Sequence, residues 1–152
     1  MPDRPDGSLC RVRILLSPSE TKSVGGSGTP LDLTALSLPS LGDTRKMVAD
    51  SLVSLCTGDP EAARAALGLS ERLAGEVDLN AQLWSSPTAP ALSRYTGVLY
   101  DALDQPSLSG AARSRAEARL WIGSALFGLV GASDPIPHYR LSAATKLPGL
   151  GT

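Results

Sequence analysis

The sequence has 152 residues, of which 42% are hydrophobic and only 4% aromatic, with 14 basic and 15 acidic side chains. A chain of this length fits one domain, and the scarcity of aromatic residues requires a core made mainly of leucine, alanine and valine. The formal net charge of −1 excludes a strongly basic protein that holds nucleic acid by electrostatics alone, although it permits a local basic face.

The two cysteines, Cys10 and Cys56, are too few for a disulfide framework or a cysteine metal cluster. The first ten residues, MPDRPDGSLC, lack the apolar stretch of a signal peptide, and no segment reaches the ~20 apolar residues of a membrane span. We therefore expect a cytoplasmic protein with reduced thiols, no metal and no cofactor.

Residues 1–10 are polar and contain proline and glycine, so we expect a loose N-terminus, followed by one domain over residues 11–152. The run RVRILL at residues 11–16 predicts a strand. It leads into residues 19–30, SETKSVGGSGTP, and such a loop after a strand often presents backbone N–H groups to an anion. A flexible surface connection is an equally favoured interpretation of this loop. The glycine spacing fits neither a Walker loop nor a Rossmann fingerprint.

Apolar side chains recur every three or four residues between residues 41 and 55, which predicts a helix from Gly42 whose start Asp43 can cap. Arg45 lies off this apolar face and is expected to point to solvent. Asp59 and Pro60 are the residue types of an N-cap and of a first helical position, so a second helix is expected to begin there.

Residues 62–77, AARAALGLSERLAGEV, predict two short helices joined by a turn at Gly68. A glycine turn flanked by leucines is typical of the helix-hairpin-helix motif, in which the glycine lets backbone N–H groups approach a phosphate. Ser70 stands where the motif usually has a second glycine. An ordinary αα-hairpin, with Gly68 as its C-cap and Ser70 as the next N-cap, is the alternative.

The second half of the chain carries a predicted helix and a long apolar run. Residues 94–103, RYTGVLYDAL, predict a short strand or a buried turn, and residues 107–120 predict a helix that Ser109 can cap. Residues 120–130, LWIGSALFGLV, predict a buried strand that runs into a turn at residues 128–131.

The stretch PIPHYRLSAATK, residues 135–146, combines a titratable base, a phenol, a planar cation, hydroxyls and an ammonium. Arg140, together with Lys22 from the N-terminal loop, is suited to a phosphate or a carboxylate. His138 or Glu20 is the candidate general base, although a structural hydrogen-bonding role is the alternative for His138. Four polar side chains of the two segments are expected to share one cleft, namely Ser19, Glu20, Lys22 and Arg140.

Five segments occur in a characteristic order: LLSPSETK at residues 15–22, GGSGTPLDL at 25–33, RYTGVLYDAL at 94–103, SALFGLV at 124–130 and PIPHYRLS at 135–142. Together they resemble the YaaA family, also called DUF328 or UPF0246, and most closely its actinobacterial branch. The resemblance implies an α+β fold with a mixed sheet, flanking helices and a helix-hairpin-helix element. Members usually continue well beyond the last segment, so the resemblance also implies that this chain lacks the family's usual C-terminal part.

The family has a role in the peroxide stress response, and its members resemble DNA-binding proteins with a positively charged cleft. For this sequence, that implies contact with double-stranded DNA through the glycine turn and its neighbours, Arg64, Gly68, Leu69, Ser70 and Arg72. The alternative is an enzyme that acts on a nucleotide or nucleobase through the segments at residues 17–22 and 138–140. Its candidate catalytic residues are Ser19, Glu20, Lys22, His138, Tyr139 and Arg140.

Overall fold

The computed structural model describes residues 12–150, so the predicted loose N-terminus, with Cys10, lies outside the described residues. Residues 12–150 contain five strands: β1 (Ile14–Leu16), β2 (Thr88–Pro90), β3 (Leu120–Ser124), β4 (Gly128–Gly131) and β5 (Pro135–Pro137). Six α-helices accompany them: α1 (Gly42–Thr57), α2 (Pro60–Ala66), α3 (Gly75–Ala81), α4 (Ala91–Arg94), α5 (Val98–Leu103) and α6 (Gly110–Arg119). Single 3-10 turns lie at Leu33–Ala35, Pro39–Leu41, Glu71–Leu73 and Gln105–Ser107.

The strands form two small sheets, which confirms the predicted mixed α+β class. In the first sheet β1 pairs in parallel with β3, and β3 pairs antiparallel with β4. The second sheet is the antiparallel pair of β2 and β5, which places Thr88 opposite Pro137. Within residues 12–150 no helix is long and apolar enough to cross a membrane.

The apolar run at residues 120–130 forms a hairpin and not the single predicted strand. The Ser124 hydroxyl accepts hydrogen bonds from the backbone N–H groups of Leu126 and Phe127, at 3.2 and 2.9 Å, and so turns the chain after β3. Gly128 has a φ of +75°, which suits a glycine, and begins β4. The predicted turn at residues 128–131 is therefore a strand, because a side-chain hydroxyl makes the turn four residues earlier.

Helix α1 begins at Gly42 as predicted, but Asp43 lies in its first turn and does not cap it. Its buried face also differs from the predicted one. Arg45, expected to point to solvent, is 1% exposed. Its guanidinium donates to three backbone carbonyls: Nε to Phe127 at 2.9 Å, Nη2 to Leu129 at 2.7 Å and Nη1 to Leu38 at 3.3 Å. The loop and hairpin carbonyls that face α1 require donors, and this need outweighs the preference of a charged side chain for water.

Residues 94–103 contain the last residue of α4, a short link at residues 95–97 and helix α5, and not the predicted short strand or buried turn. Arg94 is a second fully buried arginine and donates only to carbonyls among the described residues: Ser23 at 2.8 Å, Pro87 at 3.2 Å and Ile136 at 3.1 and 3.2 Å. These bonds join the N-terminal loop to β5. The caps predicted at Asp59 and Ser109 are confirmed, since Asp59 accepts from the Glu61 N–H and Ser109 from the Ala112 N–H.

The turn at Gly68 joins α2 to the 3-10 turn Glu71–Leu73 and then to α3. Gly68 has a φ of +66°, and the N–H of Leu69 donates to the carbonyl of Arg64 at 3.0 Å. These contacts close the end of α2 as a helix C-cap does. Ser70 precedes the 3-10 turn without a side-chain cap bond. The helix-hairpin-helix identity of this turn stays a prediction.

Replacing Arg45 tests whether buried carbonyls depend on its guanidinium. Arg45→Met keeps most of the side-chain volume but removes every donor, so we expect a loss of about 3 kcal/mol in the free energy of unfolding. Lys46→Met on the same helix removes only an exposed ion pair with Asp50, and its cost should stay below about 1 kcal/mol. Urea denaturation measures both, and equal losses would show that the Arg45 bonds contribute nothing specific.

Candidate functional site

A cleft of about 600 Å³ lies between the turn that follows α2 and the segment that follows β5. Gly68 and Leu69 line one wall, and Arg140 and Lys146 line the other, with Glu20 at the edge. The two segments are some seventy residues apart in sequence, and the packing of α3 between them brings them together. The cleft therefore lies between the glycine turn and the PHYR segment, residues 137–140, which are separate features in the sequence.

The N-terminal loop that contributes Glu20 is fixed by backbone hydrogen bonds. The N–H of Thr96 donates to the carbonyl of Thr21 at 3.1 Å, and the N–H of Ser23 donates to the carbonyl of Arg94 at 2.8 Å. Lys22 forms an antiparallel bridge with Tyr95 between these bonds. The loop is therefore an ordered platform around residues 21–23, in contrast to the alternative of a flexible surface connection.

Lys22 places a buried ammonium against two aromatic rings. The side chain is 9% exposed, and Nζ lies 4.1 Å from the ring centre of Tyr139 and 5.1 Å from that of Tyr95. Nζ also donates to the carbonyls of Ser19 at 3.0 Å and Glu20 at 3.4 Å. The aromatic faces and the carbonyls offset part of the cost of removing the charge from water.

The remaining cost of burial appears in the pKa of Lys22. Burial is the main cause that lowers this pKa from 10.5 to about 8, and the positive charge of Arg140 lowers it further. The carboxylates of Glu76 and Glu20 act in the opposite direction. Within residues 12–150 no carboxylate forms an ion pair with Lys22. A buried lysine with such a pKa is typical of binding and catalytic sites.

A chain of hydroxyl groups lies under Lys22. The Tyr95 and Tyr139 hydroxyls are 2.7 Å apart, and the Tyr139 hydroxyl is also 2.7 Å from Ser124 Oγ. Burial raises the pKa of both tyrosines, that of Tyr139 well above 10. Both phenols therefore stay neutral near pH 7 and can donate or accept a hydrogen bond without carrying a charge.

His138 is buried, and both of its ring nitrogens have partners. Nε2 lies 2.7 Å from a carboxylate oxygen of Glu76, and Nδ1 lies 3.1 Å from the carbonyl of Ser23. Since a carbonyl only accepts, Nδ1 carries a hydrogen and donates it. The arrangement joins α3 to the N-terminal loop, and it favours the structural role of His138 that the sequence offers as an alternative.

Arg140 extends from this network to the cleft surface. Its Nη2 is 2.9 Å from Glu20 Oε2, and its Nη1 donates to the carbonyl of Glu20 at 3.3 Å. Its backbone is held by the buried Asn80, whose side chain accepts from the Arg140 N–H at 2.9 Å and donates to the Arg140 carbonyl at 2.8 Å. The pair of Arg140 and Glu20 is partly exposed, so an incoming anion can exchange with the carboxylate.

A smaller pocket of about 250 Å³ adjoins the cleft. Lys22 and Tyr139 line it together with the hydroxyls of Ser19 and Ser142, and Glu20 borders both spaces. Ser19, Glu20 and Lys22 thus line the smaller pocket, whereas Arg140 lines the cleft. The ion pair of Arg140 with Glu20 links the two groups. Within the described residues no group of three or more His, Cys, Asp or Glu side chains is placed to hold a metal ion.

The predicted nucleic-acid contacts occupy different positions around the turn. Gly68 and Leu69 line the cleft, whereas Ser70 and Arg72 are exposed outside its lining. The guanidinium of Arg64 is engaged locally, with Nη2 2.7 Å from Glu61 and Nη1 donating to the Leu69 carbonyl at 3.1 Å. Arg64 therefore stabilises the turn and is not part of the cleft lining.

Three residues that shape the site, Glu76, Asn80 and Arg94, were not identified from the sequence. Glu76 and Asn80 are four residues apart on α3, a spacing that places two polar side chains on one helix face and is visible in the sequence. Arg94 has no such signal, because its partners are backbone carbonyls from three separate segments.

Comparison with known proteins identifies a family model and several relatives of this chain. The model of that family, described as Peroxide stress protein YaaA, matches residues 12–152. A UPF0246 protein of Corynebacterium efficiens is 54% identical over 136 residues, which are 90% of this chain and 53% of that protein. A UPF0246 protein of Streptomyces coelicolor is 52% identical over 138 residues, 91% of this chain and 53% of its own length. The chain thus spans about half the length of these curated relatives.

The lowered pKa of Lys22 predicts a specific dependence of stability on pH. Between about pH 8 and 10.5 the unfolded chain holds a proton on Lys22 that the folded chain has released, so folding becomes more favourable as the pH rises. The free energy of unfolding of the natural chain, minus that of Lys22→Met, should increase by about 2 kcal/mol from pH 7 to 9.5. Tyrosine titration occurs in both proteins, so its contribution cancels in this difference. Urea denaturation across this range measures the difference, and a flat difference contradicts the burial of a titrating amine.

Proposed function

Because this chain belongs to the peroxide stress protein YaaA family, we propose that it acts in the response to peroxide by binding DNA in the cleft between Gly68 and Arg140. The observation that carries the proposal is the shared cleft, in which a glycine turn faces two cationic side chains, Arg140 and Lys146. Guanidinium and ammonium groups opposite an exposed turn suit a phosphate backbone and carry no information about base sequence.

The shape of the turn supports close approach of a phosphate. A Cβ atom added at Gly68 would meet no other atom within 4 Å, so the outer side of the turn is open. Lys146 is exposed and forms no ion pair within residues 12–150, so its charge is available to a ligand. Two cationic side chains and a net charge of −1 predict weak binding that declines with salt.

Salt dependence of DNA binding provides the test. Fluorescence anisotropy of a labelled duplex at several salt concentrations gives the slope of log affinity against log salt. Lys146→Ala should reduce this slope by about one unit, because one phosphate contact releases about one counterion. Arg115→Ala is the matched control, since Arg115 is exposed on α6 and outside the cleft. Equal effects of both variants, or no effect of Lys146→Ala, would contradict binding in the cleft.

Substitution at the turn tests the second wall of the cleft. Gly68→Val places a branched side chain where a phosphate would approach, and the φ of +66° adds strain of about 1–3 kcal/mol. We expect a folded variant with strongly reduced duplex binding. Arg72→Ala, which leaves the turn intact, reports whether Arg72 adds a further contact through a change of about one unit in the salt slope. Normal binding by a folded Gly68→Val variant would limit the turn to a structural role.

A second candidate function, an enzyme that acts on a nucleotide or nucleobase, is favoured by the pocket beside Lys22. With about 250 Å³, this pocket is smaller than most ligand sites and holds only part of a nucleotide, while the adjoining cleft can take the phosphate. Glu20 is the more accessible candidate base, because both nitrogens of His138 are engaged. Calorimetry with a nucleotide panel distinguishes this function: a nucleotide that binds natural protein and fails to bind Arg140→Ala supports it.

A further inference from the structure

We propose that Lys22 is a nucleophile that forms an imine with the aldehyde of a deoxyribose phosphate. This inference rests on the proposed function, since the sugar must enter through the cleft that binds the phosphate. The ligand is either a base-free site in duplex DNA or the free sugar phosphate, because both present the same aldehyde and phosphate.

The surroundings of Nζ suit a nucleophile better than a permanent cation. Its hydrogen-bond partners are the carbonyls of Ser19 and Glu20, and it has no carboxylate ion pair within the described part of the chain. A neutral amine has two hydrogens and one lone pair. Lys22 can therefore lose a proton, keep both carbonyl bonds and retain a lone pair for attack.

Burial, together with the positive charge of Arg140, raises the share of neutral Lys22 amine near physiological pH. The pKa of about 8 results mainly from burial and then from Arg140, against the carboxylates of Glu76 and Glu20. Roughly a tenth of the Lys22 amine is then neutral at pH 7, whereas an ordinary lysine has less than about one part in a thousand. Tyr95 and Tyr139 stay neutral, and their rings lie against the amine and shield that side of it from water.

The two adjoining spaces match the two parts of a sugar phosphate. Ser19 and Ser142 line the pocket beside Lys22 together with apolar residues. Their hydroxyls accept from the backbone N–H groups of Thr21 and Ala144 and each keeps a hydrogen that can be donated to a sugar. The cleft places Arg140 and Lys146 next to it, where a phosphate attached to that sugar would lie. Glu20 borders both spaces, so its pairing with Arg140 is the contact that a phosphate would displace.

The reaction needs no partner beyond the aldehyde. The neutral Nζ adds to the aldehyde carbon, a C–N bond forms, and the carbonyl electron pair moves to oxygen, which takes a proton. The resulting carbinolamine expels water as the C=N bond forms. Overall, one amine, one aldehyde and one proton give one protonated imine and one water, with no change of oxidation state.

Borohydride trapping tests the proposal directly. The full chain is incubated with a duplex that contains one base-free site, or with 2-deoxyribose 5-phosphate, and sodium borohydride reduces any imine to a stable amine. Peptide mass spectrometry then locates the adduct among the three lysines, Lys22, Lys46 and Lys146, and the α-amino group. We expect at least about tenfold more adduct on Lys22 than on Lys46 at pH 7, because of the larger neutral fraction.

Variants and a pH series complete the experiment. Lys22→Met should remove the dominant adduct and leave only the minor adducts on the other amines, whereas Lys46→Met should leave the Lys22 adduct unchanged. The rate of adduct formation on Lys22 should level off above about pH 8, while that on Lys46 should continue to rise. Because the natural chain supplies its own internal reference in Lys46, the result remains decisive even if Lys22→Met does not fold.

The outcomes separate this inference from DNA binding. An adduct on Lys22 with the duplex alone assigns the ligand to DNA. An adduct with the free sugar phosphate, without any duplex binding, supports Lys22 as a nucleophile and refutes the proposed function. Binding of intact duplex without an adduct from either probe refutes the nucleophile and leaves the proposed function standing. An adduct spread evenly over the three lysines also refutes it.

Discussion

The buried guanidinium of Arg94 is the interaction on which the site depends. A charged group without water needs dense hydrogen bonding, and Arg94 obtains it from the carbonyls of Ser23, Pro87 and Ile136. Ser23 follows Lys22 and Ile136 precedes His138 by two residues, so one side chain holds both candidate segments in place. Arg45 connects α1 to the β3–β4 hairpin in the same way, because its guanidinium also donates to backbone carbonyls. With strands of three to five residues, such bonds supply order that longer sheets would otherwise provide.

Helix α3 connects the two walls of the cleft. Glu76 contacts His138 and Asn80 holds both backbone polar groups of Arg140, so the PHYR segment is attached to the helix that follows the glycine turn. Both walls of the cleft are therefore connected to α3. A site arranged in this way before a ligand arrives loses little entropy on binding, which compensates for the small number of cations that it presents.

Lys22 shows the cost of this arrangement. Its low pKa means that the folded chain holds the ammonium less favourably than water does, so the residue opposes folding near pH 7. An apolar residue of similar size would remove this penalty. Proteins tolerate such local costs mainly at functional sites, where the same desolvation that weakens the fold makes an amine reactive. Within the described residues every buried polar side-chain atom has a partner, so the penalty reflects charge and not a missing hydrogen bond.

The sequence by itself determined the α+β class, the family, the start of α1 at Gly42 and the caps at Asp59 and Ser109, because these depend on local spacing and on neighbouring residues. It also pointed to the segments that hold Lys22 and Arg140, since clusters of ionisable residues are visible without a fold. Only the tertiary structure decided that Arg45 and Arg94 are buried, and that the Gly68 turn faces Arg140 across one cleft. A backbone carbonyl leaves no mark in the sequence, so a side chain whose partners are distant carbonyls cannot be recognised until packing brings them together.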